Sequence, residues 1–408
     1  MIFTPTKVCI TTLGCDKNRA DSEQLAGYLT QAGFVFVDDD AAADLIIVNT
    51  CGFISNARKE SIEVITDKLQ YKPKAKIVVC GCIVENNRQE LAQGLPEVDL
   101  WWGTKDYQKL AALLTQKAVA ATPKLLSTPQ SYCYIKIADG CNRQCAFCTI
   151  PSIRGRYVSR PIDEIVAEVT HFANLGVPEF ILVAQDVTMY GVDLQTNLVA
   201  LLRAITAVDG VKRVRLHYCY PDLLTDELLH EMAANPKIAK YLDIPFQHCN
   251  ARLLGLMHRK GSAAEFTALI KKIRTVIKDV TLRATFIVGF PTETEEEFAE
   301  LLTFLQAVQL DYAGFFAYSR EKGTAAYALP QVPAKIKKAR LRQAEQVQAA
   351  ILAAKQQALL GTKVRVICDE VVNGVAKCRT QGQSPDVDPC IYVRGDFVVG
   401  QEYEVIYE

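Results

Sequence analysis

Short apolar runs rich in β-branched residues alternate with longer stretches of helical periodicity along most of the chain. In the first part, KVCITTL, ADLIIVNT and AKIVVCG read as buried parallel strands. Helices are predicted at DSEQLAGYLTQAG and SNARKESIEVITDKL. The pattern predicts a three-layer α/β domain over residues 1–122, with helices on both faces of a sheet. ATPKLLSTPQ holds two prolines, and residues 123–131 read as a linker.

From residue 132 the alternation restarts on a longer period. Strands are predicted at YCYIKI, EFILVAQ, RVRLHY, YLDIPFQ, TLRATFIVGF and YAGFFAYS. Helical patterns lie between them, among them IDEIVAEVTHFANLG, LVALLRAITAV, AAEFTALIKKIRTVI and TEEEFAELLTFLQAV. Six strands are too few for a closed barrel, which takes about eight such units. A partial (β/α)6 barrel is expected over 132–334, with its chemistry at the carboxyl ends of the strands. A long exposed helix follows over 335–361, basic and then rich in Ala and Gln. Residues 362–408 alternate over short runs with Gly, Asn and Asp turns, which predicts a small antiparallel β-barrel.

Composition narrows the function. The chain has 408 residues, with 46 basic and 46 acidic side chains, so no net charge marks it as a general nucleic-acid binder. Charges interrupt every long apolar run, and none reaches the roughly 18–20 residues of a membrane span. The segment MIFTPTKVCITTLGC lacks a signal peptide's basic start and cleavage site. A cytoplasmic protein is expected, with no membrane partner. Fourteen cysteines are many for a reducing compartment, so those that cluster point to metal or catalysis.

One cluster is ADGCNRQCAFCTIPSIRGRYVSRP, with Cys141, Cys145 and Cys148 just after the first barrel strand. Thiolates favour iron–sulfur clusters and zinc. A structural zinc closes its shell with a fourth ligand, and this loop offers none. Three sulfurs on one cubane leave an iron open to a small molecule. A zinc knuckle completed from elsewhere, or three core cysteines, are the plainer readings of the spacing. A second set is Cys15, Cys51 and Cys82, each just beyond one predicted strand of the first part. Strand ends of one parallel sheet converge, so these too can meet. Cys80 is the alternative to Cys82, but it lies within its strand. Ordinary buried cysteine is the plain reading of each one alone. Cys133, Cys219, Cys249, Cys368, Cys378 and Cys390 share no spacing and are taken as non-ligands.

The C-x3-C-x2-C loop after the first strand of a partial barrel resembles the radical S-adenosylmethionine (SAM) enzymes. The added N-terminal cysteines and the C-terminal β-barrel, of TRAM type, narrow the resemblance to radical SAM methylthiotransferases over essentially the whole chain. The resemblance implies two 4Fe-4S clusters, one on Cys141, Cys145 and Cys148 and one on Cys15, Cys51 and Cys82. It implies that the open iron of the first takes SAM and yields a 5′-deoxyadenosyl radical. The second, auxiliary cluster is implied to supply sulfur that one SAM methylates, before a second SAM opens an unactivated C–H bond. Phe147 matches a family position beside the adenine. Gln185 and Asp186 after the second barrel strand, and Arg283 in the fifth, are candidates for holding SAM. Gln247, His248 and Gly289 are weaker rim candidates. An electron donor of flavodoxin or ferredoxin type and a monomeric chain are expected.

Two branches of this family differ in substrate. LGCDKNRADSE, VAQDVTMYG, VRLHYCYPD, YLDIPFQH, RATFIVGFPTETEEEF and AYSREKGTAA resemble the branch that modifies an aspartate β-carbon in the twelfth small-subunit ribosomal protein. The other branch modifies an adenosine beside the anticodon of tRNA and more usually carries GCQMN and VPYTRGRE. KGSAAEF, after LMHR, lacks a proline expected there. The C-terminal segment holds five basic residues (Lys363, Arg365, Lys377, Arg379, Arg394). Against them stand eight acidic ones (Asp369, Glu370, Asp386, Asp388, Asp396, Glu402, Glu404, Glu408), a net of −3. Phosphate contacts dominate RNA binding, so this suits a basic protein partner better than tRNA. A module that only caps the barrel is the alternative, and the basic run 335–342 reads mainly as a solvated helix face. An iron–sulfur electron carrier is the competing class of function.

Overall fold

The computed structural model describes residues 6–120 and 123–407. The first five residues, the expected boundary at 122 and the acidic Glu408 lie outside that range. The chain divides into two compact bodies. The first comprises the chain up to Ser127 with Asp139–Arg143 and Cys148–Tyr157, and the second comprises Thr128–Ala138, Gln144–Phe147 and the rest from Val158.

The first body is built on β1 (Lys7–Thr12), α1 (Asp16–Gln31), β2 (Val35–Phe36), β3 (Leu45–Thr50), α2 (Ser55–Lys68), β4 (Lys76–Gly81), α3 (Cys82–Gly94), β5 (Leu100–Trp101) and α4 (Tyr107–Thr115). Its strands form one parallel sheet in the order β2-β1-β3-β4-β5. All six residues of β3 are buried, as a central strand covered on both faces requires. One face packs Ile46, Val48, Ile77 and Val79 with Ile65 of α2 and Ile83 of α3. The other packs Val8, Ile47, Val78 and Cys80 with Leu25 of α1 and Leu110 of α4. The three layers expected from the sequence are thus present, and the two-residue strands β2 and β5 extend the sheet beyond the three strands predicted.

The chain runs through β6 (Tyr132–Lys136) and β7 (Ala138–Asp139) to α5 (Ile150–Arg154), which joins the first body, and then to β8 (Val158–Ser159). The second body continues with α6 (Ile162–Asn174), β9 (Glu179–Val183), α7 (Leu198–Thr206), β10 (Arg213–Leu216), α8 (Asp226–Ala234), β11 (Tyr241–Gln247), α9 (Ala251–Leu256), α10 (Ala263–Val276), β12 (Thr281–Val288), α11 (Glu295–Val308) and β13 (Tyr312–Ala317). Its strands pair in parallel as β6-β9-β10 and β11-β12-β13. A parallel bridge from Val214 to Ile238 and a hydrogen bond from Cys219 N to Asp243 O join the two triplets into one arc of six. This is the partial barrel that the alternation predicted.

Helix α12 (Ala334–Leu359) then leads to the antiparallel strands β14 (Lys363–Val372), β15 (Val375–Thr380), β16 (Ile391–Arg394) and β17 (Glu402–Ile406). They pair in the order β16-β15-β14-β17, and a register shift at Cys368–Glu370 bends β14. Helix α12 is not a free surface helix. Arg340, Ala344, Gln348 and Ile351 form a buried stripe, and Lys337 Nζ donates to Tyr318 O at 3.0 Å. The basic run is therefore partly engaged within the protein rather than wholly solvated.

The acidic C-terminal segment also turns inward. The loop between β15 and β16 meets the amino-terminal ends of the barrel strands. Tyr132 and Tyr134 of β6 donate to Asp386 at 3.2 and 3.1 Å, and Tyr241 of β11 donates to Asp388 at 2.7 Å. His217 Nε2 lies 2.6 Å from Ser384 Oγ, and Arg215 Nη1 donates to Gln381 O at 2.9 Å. A Cβ on Gly382 would stand 2.3 Å from Thr281 Oγ1 of β12. Arg213 pairs with Glu402 at 2.7 Å. Asp386, Asp388 and Glu402 thus engage the barrel, while Glu370, Asp396 and Glu404 stay exposed on the segment.

Candidate functional site

Three adjacent strands of the first body each deliver one cysteine. Cys15 is the N-cap of α1 just after β1, Cys51 follows β3, and Cys82 begins α3 just after β4. Parallel register sets Thr12 beside Asn49 and Asn49 beside Cys80, so the three carboxyl ends emerge together. Glycines let the turns touch. A Cβ on Gly14 would stand 2.9 Å from Cys51 Cβ and 3.0 Å from its Sγ, and one on Gly52 would stand 2.6 Å from Ile83 N. On Gly81 it would meet Asn49 Oδ1 at 2.4 Å and Thr50 O at 2.6 Å. Gly14 and Gly81 also have φ of +92° and +98°, which side chains rarely adopt.

Asn18 ties these turns together. Its Nδ2 donates to Leu13 O at 2.8 Å and Thr50 O at 3.0 Å, which aims Oδ1 at Cys82 Sγ, 3.6 Å away. Ser61 Oγ donates to Cys51 O at 2.9 Å and accepts from Cys51 N at 3.2 Å. Arg154 reaches the same place from α5. Its Nη1 pairs with Asp21 at 2.6 Å and Asp139 at 3.2 Å, and its Nη2 donates to Asn18 Oδ1 at 2.6 Å and to Cys82 Sγ at 3.5 Å.

Burial pushes the Cys51 thiol up, with the Cys15 sulfur adding to the shift. Burial pushes the Cys82 thiol up to about 11, opposed by the Arg154 cation and reinforced by Cys15 and Cys51. The three sulfurs are thus electrostatic neighbours, and Cys51 and Cys82 give up their protons readily only to a strongly electropositive partner. Among the described residues no three His, Cys, Asp or Glu side chains gather tightly enough around one ion. A cubane differs, because each of its ligands sits on a separate iron. The all-sulfur donors and the glycine-lined cradle fit such a cluster. Cys80 lies fully buried in the apolar layer with Leu110 and Tyr107.

The second triad lies in the loop after β6. Within the first body, Cys141 is buried and its Sγ accepts from Arg143 N at 3.4 Å, while half-buried Cys148 accepts from Ile150 N at 3.4 Å. Backbone N–H groups turned onto sulfur suit thiolate ligands. Within the second body, Cys145 is buried and Arg259 Nη1 points to its Sγ at 3.8 Å. Arg259 is held by Pro245 O at 2.6 Å and by the Tyr220 ring at 4.5 Å. Phe147 is half-buried between the last two cysteines.

The other expected residues fall in different places. Gln185 and Asp186 follow the carboxyl end of β9, where Asp186 is buried and accepts from Thr188 N at 3.1 Å. Arg283 lies near the start of β12 and is engaged by Asp243 at 2.9 Å and Asp388 at 3.5 Å. Gln247 ends β11 at φ 71°, and His248 is buried 3.8 Å from Glu293, which pairs with Arg340 at 2.9 Å. Burial holds His248 down at about 4 and raises Glu293 to about 7 against the Arg340 cation. Sequence reasoning passed over Asn18, Asp21, Arg154 and Arg259. The only signal was that arginines stand close after each cysteine motif or rim loop, as in PSIRGR and MHRK.

Models of known families match three stretches. They are the Uncharacterized protein family UPF0004 over residues 7–103, the Radical SAM superfamily over 135–305 and the TRAM domain over 360–406. Among solved structures, TsrM from Kitasatospora setae, a radical S-adenosylmethionine methyltransferase, aligns with a TM-score of 0.58 at 15% identity. That alignment covers 79% of this chain and 77% of TsrM. The cobalamin-dependent S-adenosylmethionine radical enzyme OxsB gives 0.53 at 12% identity, over 85% of this chain and 56% of OxsB. These two likenesses concern the fold. Among curated proteins, ribosomal protein uS12 methylthiotransferase RimO of Carboxydothermus hydrogenoformans is 43% identical over 96% of this chain and 93% of its own length. The protein of the same name from Thermodesulfovibrio yellowstonii is 40% identical over 97% and 96%. At that identity over nearly its whole length, the chain belongs to the family of ribosomal protein uS12 methylthiotransferases.

Proposed function

We propose that the protein transfers a methylthio group to the β-carbon of an aspartate in ribosomal protein uS12. The observation that carries this reading is the meeting of Cys15, Cys51 and Cys82 at three neighbouring strand ends. Sulfur transfer needs a sulfur donor in addition to the cluster that cleaves SAM, and this second cradle is placed to hold one. Cys15, Cys51 and Cys82 would hold one 4Fe-4S cluster, and Cys141, Cys145 and Cys148 the other, with SAM. Bound there, these groups supply a carbon radical and a sulfur donor, which the chain's own acids and bases cannot replace. An alkyl C–H bond has no acidic proton for them to take.

The residues of the chain bind, orient and shield. The donor at Cys145 is the Arg259 cation, itself fixed by a carbonyl and a tyrosine ring. Phe147, Gln185 and Asp186 lie on the loops after β6 and β9, where parallel α/β folds place their ligands. They are the proposed SAM contacts. Arg283 acts at the other end of its strand, where its ion pairs with Asp243 and Asp388 favour a supporting role. The loop between β15 and β16 faces the amino-terminal ends of the strands, which favours entry of reactants from the carboxyl side. An external flavodoxin- or ferredoxin-type donor provides the electron.

The test is anaerobic reconstitution with iron and sulfide, then incubation with SAM, reductant and either uS12 or tRNA. 5′-Deoxyadenosine and a methylthio group on uS12 are the expected products by mass spectrometry. A methylthio group on tRNA with none on uS12 overturns the substrate. A protein that forms no deoxyadenosine is an electron carrier instead.

A further inference from the structure

Arg154 has no part in the reading above, yet its placement is costly. It is only 4% exposed, and a buried guanidinium is tolerated only with close anionic partners. Asp21, itself 2% exposed, already supplies one at 2.6 Å on Nη1. Neutralisation alone does not account for the other arm of the fork, which faces Asn18 Oδ1 and Cys82 Sγ.

The orientation of Asn18 explains that arm. Both hydrogens of its amide are committed to the carbonyls of Leu13 and Thr50, so its oxygen must face Cys82. A protonated Cys82 can donate to that oxygen. A metal-bound Cys82 is a thiolate with no hydrogen, and two acceptors then stand 3.6 Å apart. Arg154 Nη2 donates to both and removes the conflict. Cys15 is exposed and Cys51 half-buried, so neither is as deeply enclosed as Cys82.

We propose that Arg154 is a positioning residue for the auxiliary cluster, a charge-assisted donor that fixes the Cys82 sulfur and makes its corner the most electron-poor of the three. This rests on the reading that Cys15, Cys51 and Cys82 hold a cluster. Hydrogen bonds and positive charge at cluster sulfurs raise the reduction potential. Arg154 therefore keeps the cluster easier to reduce and slower to lose iron.

The test uses full-length protein with Cys141, Cys145 and Cys148 changed to Ala, so that only the auxiliary site can load. About four irons per chain are expected. No iron in this background overturns the cluster reading itself, and the role of Arg154 with it. In the same background the potential is followed by redox titration, and iron loss by a chelator. Arg154→Met is combined with Asp21→Asn, so that the buried carboxylate is not left uncompensated while Asp139, 28% exposed, keeps access to water, and Asp21→Asn alone is the reference. Relative to that reference, a shift to more negative potential and several-fold faster iron release are expected. Arg154→Lys keeps the charge but loses the fork, and should fall between. Loss of iron with unchanged circular dichroism in Arg154→Met/Asp21→Asn also supports the role, provided Arg154→Lys retains iron. About four irons with unchanged potential and release overturn it. So does unfolding of the double variant when Arg154→Lys behaves like the reference.

Discussion

Arg379 Nη1 donates to Glu179 Oε2 at 2.6 Å, and both side chains are fully shielded from water. The pair joins β15 of the C-terminal sheet to the first residue of barrel strand β9. Arg215 pairs with the other oxygen at 2.8 Å, and Arg213 approaches at 3.3 Å. Although burial alone would raise it, Glu179 is held far below the usual carboxylate range by the Arg379, Arg215 and Arg213 cations. Glu179→Gln leaves three guanidiniums crowded around a neutral amide. Removing one partner of a buried ion pair costs about 3–5 kcal/mol. Chemical unfolding of the apo-protein should show a loss of that order, and near-wild-type stability would count against the network.

The two cysteine triads separate by stage. Cys145→Ala should abolish 5′-deoxyadenosine formation. Cys51→Ala should keep some SAM cleavage but stop methylthio transfer. Iron should fall from about eight to about four per chain in either variant. Full product from Cys51→Ala would contradict the auxiliary assignment.

Gly81→Ala should behave like the loss of a ligand, although it removes no sulfur. Its Cβ would press on Asn49 Oδ1 and Thr50 O, and φ +98° disfavours any side chain. Iron should drop toward four per chain while SAM cleavage persists. An iron content near eight would show that the turns can part without losing the site.

His248 and Glu293 bias stability in opposite directions as pH changes. Glu293 is raised to about 7 in the fold, so its contribution is present at acid pH and lost as pH rises toward 7. His248 is lowered to about 4, so its contribution is present above its usual range and lost as pH falls toward 4. Between pH 5 and 6.5 the two slopes cancel. In Glu293→Gln only the His248 slope remains, and stability should rise with pH by up to about 1.4 kcal/mol per unit. The midpoint of urea unfolding across that range measures it, and equal profiles for both proteins would refute the assignment.

Much of this architecture was legible in the sequence because its signals are local. Runs such as LIIVNT and KIVVCG are rich in β-branched residues, which suits strands buried on both faces, and they became β3 and β4. The strands β2 and β5 have two residues each and left no period to detect. The position of Cys15, Cys51 and Cys82 just beyond neighbouring strand ends was legible because each follows its strand closely in sequence. The groups that surround the sulfurs were not. Arg154 meets Asn18 across 136 positions, and no local pattern marks such a pair. Charge counting missed internal contacts for the same reason. Asp388 looks like a surface acid in SPDVDP, yet it is buried and accepts from Tyr241, and the exposed Asp386 accepts from Tyr132 and Tyr134.

That engagement limits how the protein can be re-engineered. Tyr132, Tyr134, Arg215, His217 and Tyr241 all hand a polar tip to residues 381–388. Truncating the chain before residue 362 would remove the bonding partners that residues 381–388 supply to those tips. A chimera that exchanges the tail for another would have to import that hairpin's hydroxyl and carboxylate positions along with its strands, or accept an enzyme with a leaking floor.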